Sequence, residues 1–200
     1  MRTDMDKPER PTRKILLCTH PSLRRKAQTV KRVDKDIRTL LDEMVEAMHA
    51  APGIGLASTQ VGESIRCCVV ETPDEDTPPR KLVNPRVMDR EGMQCGPEGC
   101  LSLPTLQGDV ERAEKITVKA LDERGRPDTF EAEGIYARCI QHEIDHLDGI
   151  MFIDRIIPET LCWQVPDDEE EDGVRHEETT VEDALAIFAR IQKERDAEGK

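Results

Sequence analysis

Aromatic side chains are scarce, with one Trp, one Tyr and three Phe in 200 residues, so stacking platforms for single-stranded nucleic acid are hard to build. Positive charge is in deficit: 29 Lys and Arg stand against 42 Asp and Glu, a net of −13. That balance disfavours attraction to phosphates or anionic lipid. No apolar run approaches the roughly 20 residues that span a bilayer. The opening stretch MRTDMDKPERPTRK has no apolar block of the kind a secretory signal carries, and its acids argue against a transit peptide. The expectation is a soluble, cytoplasmic chain with no membrane and no direct nucleic-acid partner. Seven cysteines, an odd number, are expected to be reduced thiols.

A hydrophobic fraction of 36% suffices for one core, hence one domain and a tail. Residues 1–14 are polar and charged and read as a loose arm. From Lys35 to Ala50, apolar Ile37, Leu40, Leu41, Met44, Val45 and Met48 recur at helical spacing, and Pro52 and Gly53 end the run. Arg66–Glu71, Lys81–Val83 and Lys115–Leu121 read as strands, with Phe130–Glu133 returning as a partner of the last. Residues 134–147 predict a second helix, closed by Asp148 and Gly149. Ile135, Cys139, His142 and His146 share one of its faces and Ile140, Ile144 and Leu147 the other, so it is expected at the centre of the fold. Beyond Pro158 the chain holds 14 acids and 5 bases, a net of −9. The run Asp167–Asp172 predicts a solvated or disordered tail over 158–200, with a helix at 180–196 built on Val181, Leu185, Phe188 and Ile191.

Three segments carry chemistry. In His142-Glu143-Ile144-Asp145-His146 the two imidazoles lie one helical turn apart and can reach one cation, with Glu143 beside it. Core histidines bonded to acidic neighbours are the structural alternative. A third ligand is offered by Cys100 in PEGCLSLP, where turn residues could hold a thiolate rigidly, although six other cysteines compete. Three protein ligands leave a position for water, whose pKa a divalent ion lowers towards neutrality. The third segment, Gly53 to Gln60 (GIGLASTQ), pairs two glycines with an amide that can donate to an oxyanion. It lacks the Lys-Ser/Thr ending of a phosphate loop.

In this order the segments resemble the peptide deformylase family: GIGLASTQ, EGCLS and QHEIDHLDG look like its three motifs. KILLCTHPSLR, LVNP and ERAEKITVKALDERG echo it further, over about residues 14–157, which makes 1–157 a deformylase-like catalytic domain. The resemblance implies an α+β fold of antiparallel β-sheets packed around the metal-binding helix, with an N-terminal helix before it. It implies hydrolysis of the formyl group from N-formylmethionine on nascent chains, with transient ribosome proximity. It assigns Cys100, His142 and His146 to one divalent transition metal, Fe(II) in the cell with Zn, Ni or Co admissible. Glu143 becomes general acid and base, and Gln60 and the backbone N–H of Leu101 oxyanion donors. The resemblance lines the pocket for the first side chain with Ile54, Leu101, Ile135 and Cys139. Gly53 and Gly55 suit an edge that pairs with an extended peptide. Ser58 stands where the family usually has Ala, and its hydroxyl could draw Gln60 aside. Arg138 is expected either to pair with Glu98 or to reach solvent. Two other readings remain: a zinc peptidase with a downstream acid such as Glu159 as third ligand, and a catalytically silent binding protein of the same fold.

Overall fold

The computed structural model describes residues 13–74, 76–170 and 173–198. The arm expected over 1–14 therefore lies outside the described residues except at its end. There Arg13 bonds Glu43 at 2.7 Å and Glu63 at 2.6 Å.

Helix α1, Lys35–Ala50, begins where Asp34 Oδ1 accepts the N–H groups of Asp36 and Ile37, both at 3.0 Å, satisfying donors that a first turn leaves free. It packs Leu41, Met44 and Met48 against Leu56, Cys67, Val69 and Val83. These belong to β1 (Gly55–Ala57), β2 (Cys67–Val70) and β3 (Arg80–Glu91). With β6 (Lys115–Leu121) and β7 (Pro127–Glu133) they form an antiparallel sheet in the order β1-β2-β3-β6-β7.

Successive strand residues face opposite ways. Cys67 and Val69 therefore meet α1, while Cys68 and Val70 meet α2 (Gly134–Leu147) on the other face, which is why the short run CCVV is buried throughout. Ala137, Ile140, Ile144 and Leu147 of α2 close this second core with Leu82, Val118 and Ala132. The helix is central as expected, buried without a break from Ala137 to Leu147. It ends at Gly149, φ +79°, where a Cβ would lie 2.9 Å from the Arg24 carbonyl oxygen, so only glycine fits this left-handed turn.

A second antiparallel sheet covers the opposite side of α2 in the order β4-β5-β8-β9: Gln94–Cys100, Leu103–Arg112, Cys162–Pro166 and Val174–Glu178. The first hairpin of this sheet departs from expectation, because Gly96, Pro97 and Gly99 read as a turn. Pro97 is tolerated because β4 is an edge strand, where a missing N–H breaks no ladder. β3 likewise runs on to Glu91, well past the expected Val83.

The helix expected at 180–196 is present in the C-terminal segment, and the charges of the segment are largely exposed among the described residues. The segment also holds two strands where only a loop or disorder was expected. Strand β8 pairs with β5 through Leu106↔Trp163 and Gln107↔Cys162. Helix α3, Val181–Glu198, buries Ala184 and Phe188 with Leu103, Phe152 and Leu161. Its acids sit on exposed positions, and the apolar spacing beneath them outweighs their repulsion.

Candidate active site

The second sheet meets α2 through charge rather than through apolar packing. Arg138, His142 and Asp145, spaced one and two turns along the helix, face Glu98 of β4 and Arg112 of β5. Strand periodicity puts Glu98 and Cys100 on one face of β4. Between Gly99 and Cys100 the pairing shifts from Gly99↔Gln107 to Cys100↔Leu103, leaving Pro104, Thr105 and Leu106 of β5 without a partner on β4.

Cys100 Sγ lies 3.2 Å from His146 Nε2, which lies 3.1 Å from His142 Nε2. Among the described residues these three form the one group of His, Cys, Asp or Glu that could hold a metal ion. Glu98 bonds His142 Nδ1 at 2.9 Å, which orients the ring and turns Nε2 towards the cluster. His146 Nδ1 is buried with no partner among the described residues. Burial, with His142 and Arg112 nearby, keeps His146 well below the ordinary imidazole pKa, hence neutral. One sulfur and two ring nitrogens converge here closely enough to share a single cation. Ligands at about 2.0–2.3 Å from a tetrahedral ion are themselves about 3.3–3.6 Å apart, close to the distances found. A thiolate with two imidazoles suits Zn, Fe, Co or Ni and is a poor match for Mg or Ca.

Glu98 anchors the surround. Arg112 donates to both its oxygens, at 2.8 and 2.9 Å, and Arg138 adds a third bond at 2.9 Å, so Arg138 pairs with Glu98 rather than reaching solvent. Burial opposes the charge on Glu98, but Arg112 and His142 hold its carboxyl well below the usual range. Arg112 also bonds Asp145, which Arg155 bonds in turn. Sequence reading missed Arg112 and Asp145. A signal existed: in β5 the inward series Leu106, Gly108, Val110 ends on Arg112, and an arginine on an apolar face needs a buried partner.

Glu143 is 3% exposed, and its Oε2 has no hydrogen-bond partner among the described residues. Burial pushes its pKa up to about 7, where a carboxyl can both take and return a proton. A Cβ on Gly55 would collide with Glu143 Oε1 and come within 2.7 Å of Cys139 Sγ, so glycine there lets the β1 edge approach the carboxylate. Gln60, in the 3-10 turn Ser58–Val61, accepts the Ala57 N–H on Oε1 at 2.8 Å. Its Nε2 is thereby turned towards Ser102 Oγ at 3.2 Å and Cys100 Sγ at 3.5 Å. The Ser58 hydroxyl donates to the Ile65 carbonyl instead and leaves Gln60 undisturbed.

The metal group and Glu143 open onto a cleft of about 680 Å³. Gly53, Ile54, Gly55, Gln60, Cys100, Leu101, Ile135, Cys139, His142 and Glu143 line it, while His146 lies beneath, fully shielded. Ile54 and Ile135 are exposed large apolar residues at 52% and 64%. Glu159 is exposed in the turn Pro158–Thr160 and stands outside the metal group, so the third ligand a peptidase would recruit there is not supplied.

A thiolate and two imidazoles at the foot of an apolar cleft, with a buried carboxylate beside them, define a mononuclear metallohydrolase. A model of the family described as polypeptide deformylase matches residues 12–161, and the chain belongs to that family. The peptide deformylase of Alkalilimnicola ehrlichii is 53% identical over 141 residues, 70% of this chain and 79% of that protein. That of Symbiobacterium thermophilum is 45% identical over 177 residues, 88% and 75%. Among solved structures, the peptide deformylase of Thermus thermophilus superposes with a TM-score of 0.72 at 40% identity, covering 90% of this chain and 97% of that one. A Synechococcus elongatus peptide deformylase solved with actinonin gives 0.71 at 40% identity, covering 75% and 83%. The reaction is removal of the N-formyl group from newly made proteins, dependent on a single metal.

Proposed function

We propose that Glu143 is the general acid and base of this deformylation, and that Cys100, His142 and His146 hold an ion which is Fe(II) in the cell. The convergence of one sulfur and two ring nitrogens beside a carboxyl with a pKa of about 7 carries the reading. The ion, when bound, supplies Lewis acidity and lowers the pKa of water. Glu143 takes the proton of the attacking water and later hands it to the departing amine, without which the tetrahedral adduct reverts. Gln60 Nε2 and the Leu101 N–H donate to the oxygen on which charge builds, each worth roughly 3–4 kcal/mol of barrier.

The edges complete the site. β1 and β4 are both edge strands and flank the cleft, so an extended peptide can add to an edge by main-chain bonds that tolerate any sequence. Ile54, Leu101, Ile135 and Cys139 would take the methionine side chain, whose thioether suits an adaptable apolar pocket. The substrate is made at the ribosome, so the cytoplasm and transient ribosome proximity follow as part of the proposal. The acidic C-terminal segment would repel rRNA.

The test is turnover of formyl-Met-Ala-Ser against acetyl-Met-Ala-Ser by protein loaded anaerobically with Fe(II) or Ni(II). Cleavage of the formyl peptide alone is expected. Equal cleavage of both would make the enzyme a broader amidase, and cleavage of neither would leave a silent binding protein. The Fe(II) form should also inactivate in air faster than the Ni or Zn form, through metal loss or Cys100 oxidation. Equal air stability would remove the argument for iron.

A further inference from the structure

The cleft has a wall that the family match does not reach. That match ends at residue 161, yet Gln164, on β8, lines the cavity together with Pro104, Thr105 and Leu106. Gln164 Nε2 donates to Gln107 Oε1 at 2.6 Å. The amide of Gln107 reaches His176 Nε2 at 3.4 Å, and His176 lies opposite Gln164 on β9. Three strands therefore hold this side chain, and its carbonyl oxygen keeps no bond among the described residues.

Thr105 opens the space that Gln164 faces. Its φ is +63°, a left-handed backbone that β-branched residues rarely adopt, and strain of this sort gathers at functional sites. The β5–β8 ladder stops at Leu106↔Trp163, so Thr105 and Gln164, next in register, lie just beyond it and both line the cavity. Two strand spacings, about 10 Å, separate β8 from β4, which carries Cys100.

Resting on the deformylase reading, we propose that Gln164 is a specificity-determining residue which bonds the peptide group between the second and third residues of the substrate. An amide with a free oxygen and a remaining N–H matches a peptide group, so the contact favours chain length and ignores side-chain identity. Recognition beyond methionine is thus lent by the C-terminal hairpin, through a residue that never approaches the formyl group.

The experiment compares wild type, Gln164→Met and Gln164→Ala, all metal-loaded, on formyl-Met-Ala and formyl-Met-Ala-Ser. Methionine keeps the bulk and loses the bond, so a folding defect in the alanine variant does not obscure the result. The expected result is a KM for the tripeptide raised about three- to ten-fold, the loss of one neutral hydrogen bond, with kcat and the dipeptide parameters unchanged. A tripeptide KM that stays put in Gln164→Met, or equal losses on both peptides, overturns the proposal. Calorimetric binding of the products Met-Ala and Met-Ala-Ser reads the same difference without chemistry. A wild type that turns over neither formyl peptide would sink the catalytic reading, while the binding comparison still decides the fate of Gln164.

Discussion

Helix α2 carries few charges and the C-terminal segment many, and the two use them in opposite ways. On α2, Arg138, His142 and Asp145 are buried, and each is matched by Glu98, Arg112 or Arg155. In the described residues of 162–198 the charges are mostly exposed, and Trp163, Ala184 and Phe188 hold the segment to the core. Charge on α2 fixes geometry, because removing one partner strands another in a medium of low dielectric. On the C-terminal segment charge is solvated and the apolar anchors do the holding. Mutation in the α2 network should show in metal affinity and rate as well as stability, and mutation in the C-terminal segment in stability and substrate length without metal affinity.

The largest effect expected is on rate. Glu143→Gln should lower kcat by about 10²- to 10⁴-fold while elemental analysis still finds one metal per chain. Loss of metal as well would mean that chemistry and ligation on α2 are not separable. Next comes Glu98→Ala, which leaves Arg112 and Arg138 buried without their carboxylate and His142 without its orienting partner. Denaturant titration should read about 3–5 kcal/mol of lost stability, and chelator competition a 10- to 100-fold weaker metal. Unchanged metal affinity would make the buried network a scaffold with no influence on the centre.

Phe188→Ala should cost about 3 kcal/mol, seen in thermal unfolding, with metal content and formyl-Met-Ala turnover preserved. A fall in metal affinity there would erase the contrast between the two regions. Smallest is Ser58→Ala. It removes the hydrogen bond to the Ile65 carbonyl and should cost about 1 kcal/mol, with kcat within about two-fold of wild type. A larger kcat change would show that Ser58 sets the orientation of Gln60 after all.

Legibility follows locality. α1 and α2 are readable because their apolar spacing repeats within a few turns, and Lys115–Leu121 because it alternates cleanly. The hairpin of β4 and β5 is not, since Gly96, Pro97 and Gly99 signal turns and only the pairing with β5 makes a strand of them. The motif residues of the site are legible in the sequence. Their supports are not, for Arg112 lies 33 residues from the Asp145 it bonds, and no local pattern encodes that distance. In the C-terminal segment the helix is legible from its apolar spacing, while strands β8 and β9 are not, because β8 pairs with the distant β5 and β9 with β8. Six successive acids predict disorder where they stand, but they say nothing of Trp163 and Phe188 packing on either side of them.

The amino-acid order alone determined the three helices, the one-turn spacing of His142 and His146 with Glu143 between them, and the scarcity of positive and aromatic residues. These properties are fixed by bonds and dihedrals between near neighbours. Tertiary structure decided that Cys100, and none of the other six thiols, meets those imidazoles. It decided that Glu98 and Arg112 orient them, and that a strand from the acidic end becomes a wall of the cleft. Each of these depends on bringing distant stretches of chain together, and burial of the two faces of the first sheet, against α1 and α2, is what draws them in.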